Sequence, residues 1–258
     1  MKNVILKTNN LNIGYTISKK SVSICKQINF ELYKGELLCL LGRNGSGKST
    51  LLKTMAKMLT PIQGSIEINE ENIENLSPKE LAKFIAVVLT ESIPENSLTV
   101  YETIALGRQP YTNWLGKLFD KDINIIQNAM LLTDTNNLAN KLIHQLSDGQ
   151  LQRVMIARAL TQDTPIILLD EPTSHLDIHH KINIFKILAK ICKETQKTVL
   201  ISTHEINLAL KTSDRLLLID QEKFKIGKST DNIIQENLMT IFNSDDIRYD
   251  STSNQFIF

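Results

Sequence analysis

The stretch Gly42-Arg43-Asn44-Gly45-Ser46-Gly47-Lys48-Ser49-Thr50 limits what this chain can be more than any other part of it. It fits the phosphate-binding pattern G-x-x-x-x-G-K-[ST], the Walker A loop, with Gly42, Gly47, Lys48 and Ser49 in the defining places. Leu37 to Leu41 before it is an apolar run of strand length, and Leu51 to Met58 after it reads as a helix. The pattern needs that order of strand, glycine loop and helix. The helix N-terminus aims unpaired N–H groups and the positive end of its dipole at phosphate oxygens. Glycine keeps side chains out of the way, Lys48 offers a point charge to the β and γ phosphates, and the Ser49 hydroxyl can ligate Mg²⁺.

The rest of the chain supplies a sheet for that loop. Residues 4 to 40 hold short runs with β-like alternation, Val4 to Leu6, Ser21 to Ile24 and Ile28 to Leu32, which predict a small antiparallel layer. Within it Tyr15 is either a strand aromatic packed on the sheet or a face on which adenine stacks. Ser77-Pro78-Lys79-Glu80 has the cap, proline and glutamate spacing of a helix start. Ile85 to Leu89 is an apolar strand ending at Thr90-Glu91. From about residue 92 to 163 the pattern turns helical, over Val100 to Leu106, Asp122 to Leu132 and Gln150 to Leu160, and predicts an inserted subdomain. Ile166 to Leu169 then ends in Asp170-Glu171, and Thr198 to Ser202 ends in Thr203-His204-Glu205. Between them Ile178, Ile182, Phe185, Leu188 and Ile191 form a helical stripe expected to be core. Leu216 to Ile219 adds another strand. Strands alternating with helices predict an α/β fold, and the Walker A loop makes it a P-loop NTPase core with a mostly parallel sheet, an N-terminal antiparallel β layer and an inserted helical subdomain. The expected division is a P-loop domain over residues 1–230 and a C-terminal extension over 231–258, with a helix at Asp231 to Phe242, while Gln255 to Phe258 is too brief a run to assign.

Composition decides where such a protein works. A net charge of +1, from 29 basic and 28 acidic residues, provides no general field toward nucleic acid or anionic lipid, so phosphate binding must be local and no nucleic-acid partner is expected. Cys25, Cys39 and Cys192 are scattered and read as reduced, buried thiols. No apolar run reaches the length of a membrane span, and Met1 to Lys7 has no signal-peptide core. A cytoplasmic protein is expected, with any membrane-spanning part supplied by another chain.

Together these pieces resemble the nucleotide-binding domain of an ABC ATPase over about residues 4 to 230. The ordered set is Tyr15, Gly42 to Thr50, Leu146-Ser147-Asp148-Gly149-Gln150, Ile166 to Glu171, Ser174-His175-Leu176-Asp177, and His204. The resemblance implies ATP and Mg²⁺ as ligands. Asp170 would hold the cation, directly or through water, because Mg²⁺ prefers oxygen donors. Glu171 would polarise the attacking water, and His204 would contact the γ-phosphate. Ser147 and Gly149, with Asp148 and Gln150 in the same signature, would close over nucleotide held by a second subunit, and Asp177 would help organise that junction. A homodimer with two nucleotides at its interface is implied. His179 and His180 read as solvated surface at a helix start.

Thr99 to Pro110 resembles the start of the helical subdomain in ATPases of bacterial importers for iron-siderophore complexes, haem and cobalamin, though it also reads as an ordinary capped helix and turn. The importer reading implies an integral membrane permease, a separate substrate-binding protein and a peripheral location on the inner face of the cell membrane. Two other readings stay open: a soluble ABC ATPase of the iron-sulfur assembly type, and a nucleotide-dependent regulator that does not hydrolyse ATP. The regulator is suggested by two departures from the family pattern, and intact Lys48, Asp170, Glu171 and His204 argue against it.

The first departure is Thr90, where the family usually has glutamine; Thr90 or its neighbour Glu91 would take over the contact to Mg²⁺ and water. If so, Thr90→Ala or Glu91→Ala should lose Mg²⁺-dependent turnover, and full activity in both removes the idea. The second is Asp148, where the family usually has glycine. An acid aimed at a γ-phosphate would be repelled, so its carboxylate should point away. Asp148→Gly is expected to leave the rate of phosphate release largely unchanged, whereas a several-fold gain would mean that Asp148 restrains the site.

Overall fold

The computed structural model describes residues 3–17, 20–89, 97–113, 116–220, 223–244, 247–250 and 252–257. An antiparallel layer opens the chain, with β1 (Val4–Ile17), β2 (Lys20–Ile28) and β3 (Glu31–Tyr33). Next come β4 (Leu37–Leu41), α1 (Lys48–Met55), β5 (Gln63–Ile68), β6 (Glu71–Asn72), α2 (Pro78–Leu81) and β7 (Ile85–Val88). Three helices follow, α3 (Val100–Ala105), α4 (Asp120–Leu132) and α5 (Asp148–Thr161). The chain then returns to the sheet through β8 (Ile166–Asp170), α6 (Ile178–Thr195), β9 (Thr198–Ser202), α7 (Ile206–Thr212), β10 (Arg215–Asp220) and β11 (Lys223–Gly227). It closes with α8 (Asn232–Phe242), β12 (Arg248–Asp250) and β13 (Gln255–Ile257).

The main sheet runs β11-β10-β4-β9-β8-β7, parallel throughout except for the edge strand β11. Both faces of its inner strands are covered, which is why they read as continuous apolar runs. Leu37, Cys39 and Leu41 of β4 face the helices α6, α7 and α8, while Leu38 and Leu40 face α1 and the antiparallel layer. Ile167 and Leu169 alternate with Ile166 and Leu168 of β8 in the same way. Helix α1 therefore lies between two sheets, and the loop feeding it leaves the carboxyl end of β4, whose neighbours β9 and β10 come from far along the chain.

In the first layer β1 is one strand of 14 residues that pairs with β2, β3 and β5, longer than the alternation alone indicated. Ile28 and Leu32, read above as one run, fall in two strands because Thr8 bonds across the break: Phe30 N–H donates to Thr8 Oγ1 at 2.9 Å. The expected cap of α2 is present, with Glu80 N–H donating to Ser77 Oγ and Ser77 N–H to Glu80 Oε2.

The helical segment has its own core of Val100, Ile104, Ile126, Met130, Leu138, Ile143, Val154 and Ala157. Helix α5 also joins the main core through Ile156, Ala159 and Leu160. The core face of α6 holds Ile184, Phe185, Ile187, Leu188 and Ile191, whereas Ile178, expected in the stripe, is 55% exposed at the first turn. In the tail, Ile234, Leu238 and Ile241 of α8 pack into the main core beside Tyr249 and Phe256. Residues 255–257, too brief a run to assign from sequence, form a strand that pairs with β12 in a separate hairpin. Among the described residues Cys25, Cys39 and Cys192 form no disulfide and are buried, and burial pushes the Cys39 thiol up and the Cys192 thiol up to about 12. Among the described residues no helix is long and apolar enough to cross a membrane.

A buried ion pair helps fasten the helical segment to itself. Arg108 Nε donates to Asp122 Oδ1 at 2.8 Å and Arg108 Nη1 to Thr161 O at 2.9 Å, with both charged residues buried. Burial raises the Asp122 carboxyl, but the Phe119 N–H and the Arg108 guanidinium more than reverse this and hold it below its ordinary value. Its contribution is therefore complete above about pH 4 and is lost as pH falls through the depressed folded value. Asp122→Asn keeps the acceptor for Phe119 N–H and removes the charge. It should lower stability by about 2 kcal/mol at neutral pH, seen as a lower urea midpoint, and the gap to the parent should narrow below about pH 4.

Candidate active site

The polar residues at the ends of β4, β8 and β9 converge. Lys48 opens α1, and Gly47 before it has φ +103°, a left-handed turn that glycine takes without strain. Lys48 is 5% exposed, and its Nζ donates to Gly42 O at 3.0 Å and Arg43 O at 3.3 Å. Its ammonium also lies 3.7 Å from Glu171 Oε1. Burial pulls the Lys48 pKa below its ordinary value, and the neighbouring Glu171 and Asp170 carboxylates push back. Beside it Arg43, Asn44, Gly45 and Ser46 line a cavity of about 210 Å³ with Ile24 and Asp220. Ser46 Oγ is buried there with no hydrogen-bond partner among the described residues, a polar atom left for a ligand.

Asp170 is 3% exposed at the end of β8 and accepts two hydroxyl bonds on Oδ1, from Ser49 Oγ at 3.0 Å and from Ser202 Oγ at 2.6 Å. Ser49 and Asp170 thus present adjacent oxygen donors, a set that fits a hard divalent cation such as Mg²⁺. Glu171 follows with φ +46°, uncommon for a residue with a side chain. That turn is held from both sides: Glu171 N–H donates to Ser202 O and Oγ, and Glu171 O accepts from Ser174 N–H and Oγ. The turn carries the Glu171 carboxylate to His204, whose Nε2 lies 2.7 Å from Oε1. Tyr15, 43% exposed, meets the loop through its hydroxyl, 2.9 Å from Thr50 Oγ1.

Residues 147–150 stand elsewhere. Ser147 caps α5, with Gln150 N–H donating to Ser147 Oγ and Ser147 N–H to Gln150 Oε1. Asp148 is exposed in the first turn and makes no side-chain hydrogen bond among the described residues, while Gly149 is buried. The helix dipole favours a carboxylate there. Asp177 caps α6 and pairs with His180, so His180 is not simply solvated surface as its position suggested. No hydrogen bond among the described residues joins 147–150 to residues 42–50 or 170–171. Thr90 and Glu91 lie outside the described residues.

Ser202 is the member that sequence reading missed. It ends an apolar strand as Asp170 does, and a hydroxyl in the last position of a buried strand was the available signal.

The sequence profile of the ABC transporter family matches residues 25–174. An ABC transporter ATP-binding protein of Methanocaldococcus jannaschii is 39% identical over 235 residues, which cover 91% of this chain and 80% of that one. The iron(3+)-hydroxamate import ATP-binding protein FhuC of Bacillus subtilis is 35% identical over 241 residues, 93% of this chain and 88% of its own. Among solved structures, a metal-chelate type ABC transporter in an inward-facing conformation superposes with a TM-score of 0.79 at 30% identity, covering 93% of this chain and 89% of that one. A dimeric ATP-binding cassette in a post-hydrolysis state, bound to ADP and Pi, superposes with a TM-score of 0.72 at 28% identity, covering 87% of this chain and 98% of that one. With the nucleotide loop, the paired acids and the strand-end histidine brought to one place, the chain belongs to the ABC transporter family as one of its ATP-binding, ATP-hydrolysing subunits.

Proposed function

We propose that this ATPase powers import of a metal chelate of the iron-siderophore, haem or cobalamin type, working as a homodimer on an integral membrane permease at the inner face of the cell membrane. A separate substrate-binding protein would deliver the cargo. The observation that carries this reading is a likeness to an iron(3+)-hydroxamate import ATP-binding protein that extends over 93% of the chain. The domain over residues 1–230 would do the chemistry, and residues 231–258 would cover the sheet face against which Ile234, Leu238 and Ile241 pack.

In the proposed site, adenine stacks on Tyr15, and the loop Gly42 to Thr50 wraps the phosphates. Lys48 offers its charge to the β and γ phosphates, and Ser49 and Asp170 would hold Mg²⁺, which would neutralise charge developing on the phosphate oxygens. Glu171 takes a proton from the attacking water. His204, 2.7 Å from that carboxylate, orients it and reaches the γ-phosphate. Two subunits arranged head to tail would each lend Ser147, Gly149 and Gln150 to the nucleotide on the other, with Asp148 turned aside and Asp177 at the junction. Closure on ATP and release after cleavage then become a motion that the permease uses.

The test is the subunit reconstituted with its permease and binding protein in vesicles, with phosphate release and uptake of a ferric hydroxamate, haem or cobalamin measured together. Glu171→Gln should lower turnover by about 10² to 10⁴ while ATP binding is kept, and uptake should fall with it. Turnover without uptake of any of the three would remove the cargo assignment and leave the ATPase intact. Full turnover in Glu171→Gln would remove the assignment of the base.

A further inference from the structure

The turn that opens α6 touches two parts of the site that share no hydrogen bond of their own among the described residues. Asp177 grips His180 twice with one carboxylate: His180 N–H donates to Oδ1 at 2.9 Å, and His180 Nδ1 lies 2.7 Å from Oδ2. The ring so held lies against Gly149, on the first turn of α5. A Cβ placed on Gly149 would meet His180 Cδ2 at 2.2 Å, Cγ at 2.7 Å and Nε2 at 2.9 Å, and these are the three nearest atoms. Glycine at 149 is thus what lets an imidazole rest on the backbone at the start of α5. One residue on, Lys181 Nζ lies 2.6 Å from Glu205 Oε1, and Glu205 follows His204 directly. A single helical turn therefore holds the ring seated on residues 147–150 and the ammonium tied to the strand end that carries the histidine partner of Glu171.

We propose that His180 is a positioning residue for the 147–150 motif. Its ring, fixed by Asp177, sets where the N-terminus of α5 stands relative to α6, and the Lys181–Glu205 pair registers the same turn against His204. The inference rests on the reading that residues 147–150 act on nucleotide bound by a second copy. Loss of the ring leaves the α5 N-terminus without its seat, and a displacement of about 1 Å in such a group can cost on the order of 10² in rate. The nucleotide loop of the same chain is untouched, so affinity for ATP stays as it was.

The experiment compares His180→Ala, His180→Asn and Ser147→Ala with the parent chain. Each is assembled with the permease for steady-state ATP turnover, and each is titrated alone with a fluorescent ATP analogue. The Asn amide can replace Nδ1 toward Asp177 and keeps a planar group over Gly149. His180→Ala is expected to lower kcat by about 10-fold to 10²-fold with analogue affinity within about twofold of the parent, and His180→Asn to recover most of the loss. Full turnover in His180→Ala beside a collapse in Ser147→Ala would overturn this inference and leave the shared-site reading standing. Full turnover in Ser147→Ala would overturn the shared-site reading itself. A parallel fall in kcat and analogue affinity, unrecovered by Asn, would mark His180 as a general support of the fold and also overturn the proposal.

Discussion

A carboxylate buried at the end of a hydrophobic strand must find donors, and the rest of this molecule is arranged around how Asp170 finds them. Its two partners, Ser49 and Ser202, come from α1 and β9, so one oxygen atom joins the phosphate loop, the strand of the paired acids and the strand that leads to His204. Leaving such a group unpaired costs several kcal/mol, which makes the convergence of the three segments a condition of folding as well as of chemistry. Ser202 extends the control by also accepting Glu171 N–H, which helps hold that residue in its left-handed turn.

Much of this is legible in the amino-acid sequence. The runs Leu37 to Leu41, Ile166 to Leu169 and Thr198 to Ser202 are strands because only a sheet covered on both faces tolerates unbroken apolar sequence. The loop Gly42 to Thr50 announces itself because phosphate binding restricts residue types at fixed offsets. What escaped notice depends on partners distant in sequence. The full reach of β1 is set by pairing with β2, β3 and β5, and local alternation carries no record of that. Ile178 keeps helical spacing with the core stripe but sits at a turn that projects beyond the core. His180 looked like surface because nothing near it in sequence names Gly149, its neighbour across two helices.

The helical segment differs in how it is held. Helix α5 gives Val154 and Ala157 to the local core and Ile156, Ala159 and Leu160 to the main one, so a single helix belongs to both. Arg108 draws α4 and the end of α5 together through Asp122 and Thr161 O, and its guanidinium stacks 4.1 Å from the centre of the Tyr111 ring. The start of α5, where Ser147 and Gly149 sit, is thus carried on an element fixed at its far end and braced near its beginning by α6.

The three native thiols have a practical consequence. All are enclosed, and those of Cys39 and Cys192 resist ionisation, so these two offer almost no thiolate to an alkylating reagent. A spin label or fluorophore attached through one engineered surface cysteine would report from that place against a silent native background. In the proposed homodimer the distance between the two copies could then be followed through successive turnovers without first stripping the protein of its own sulfur.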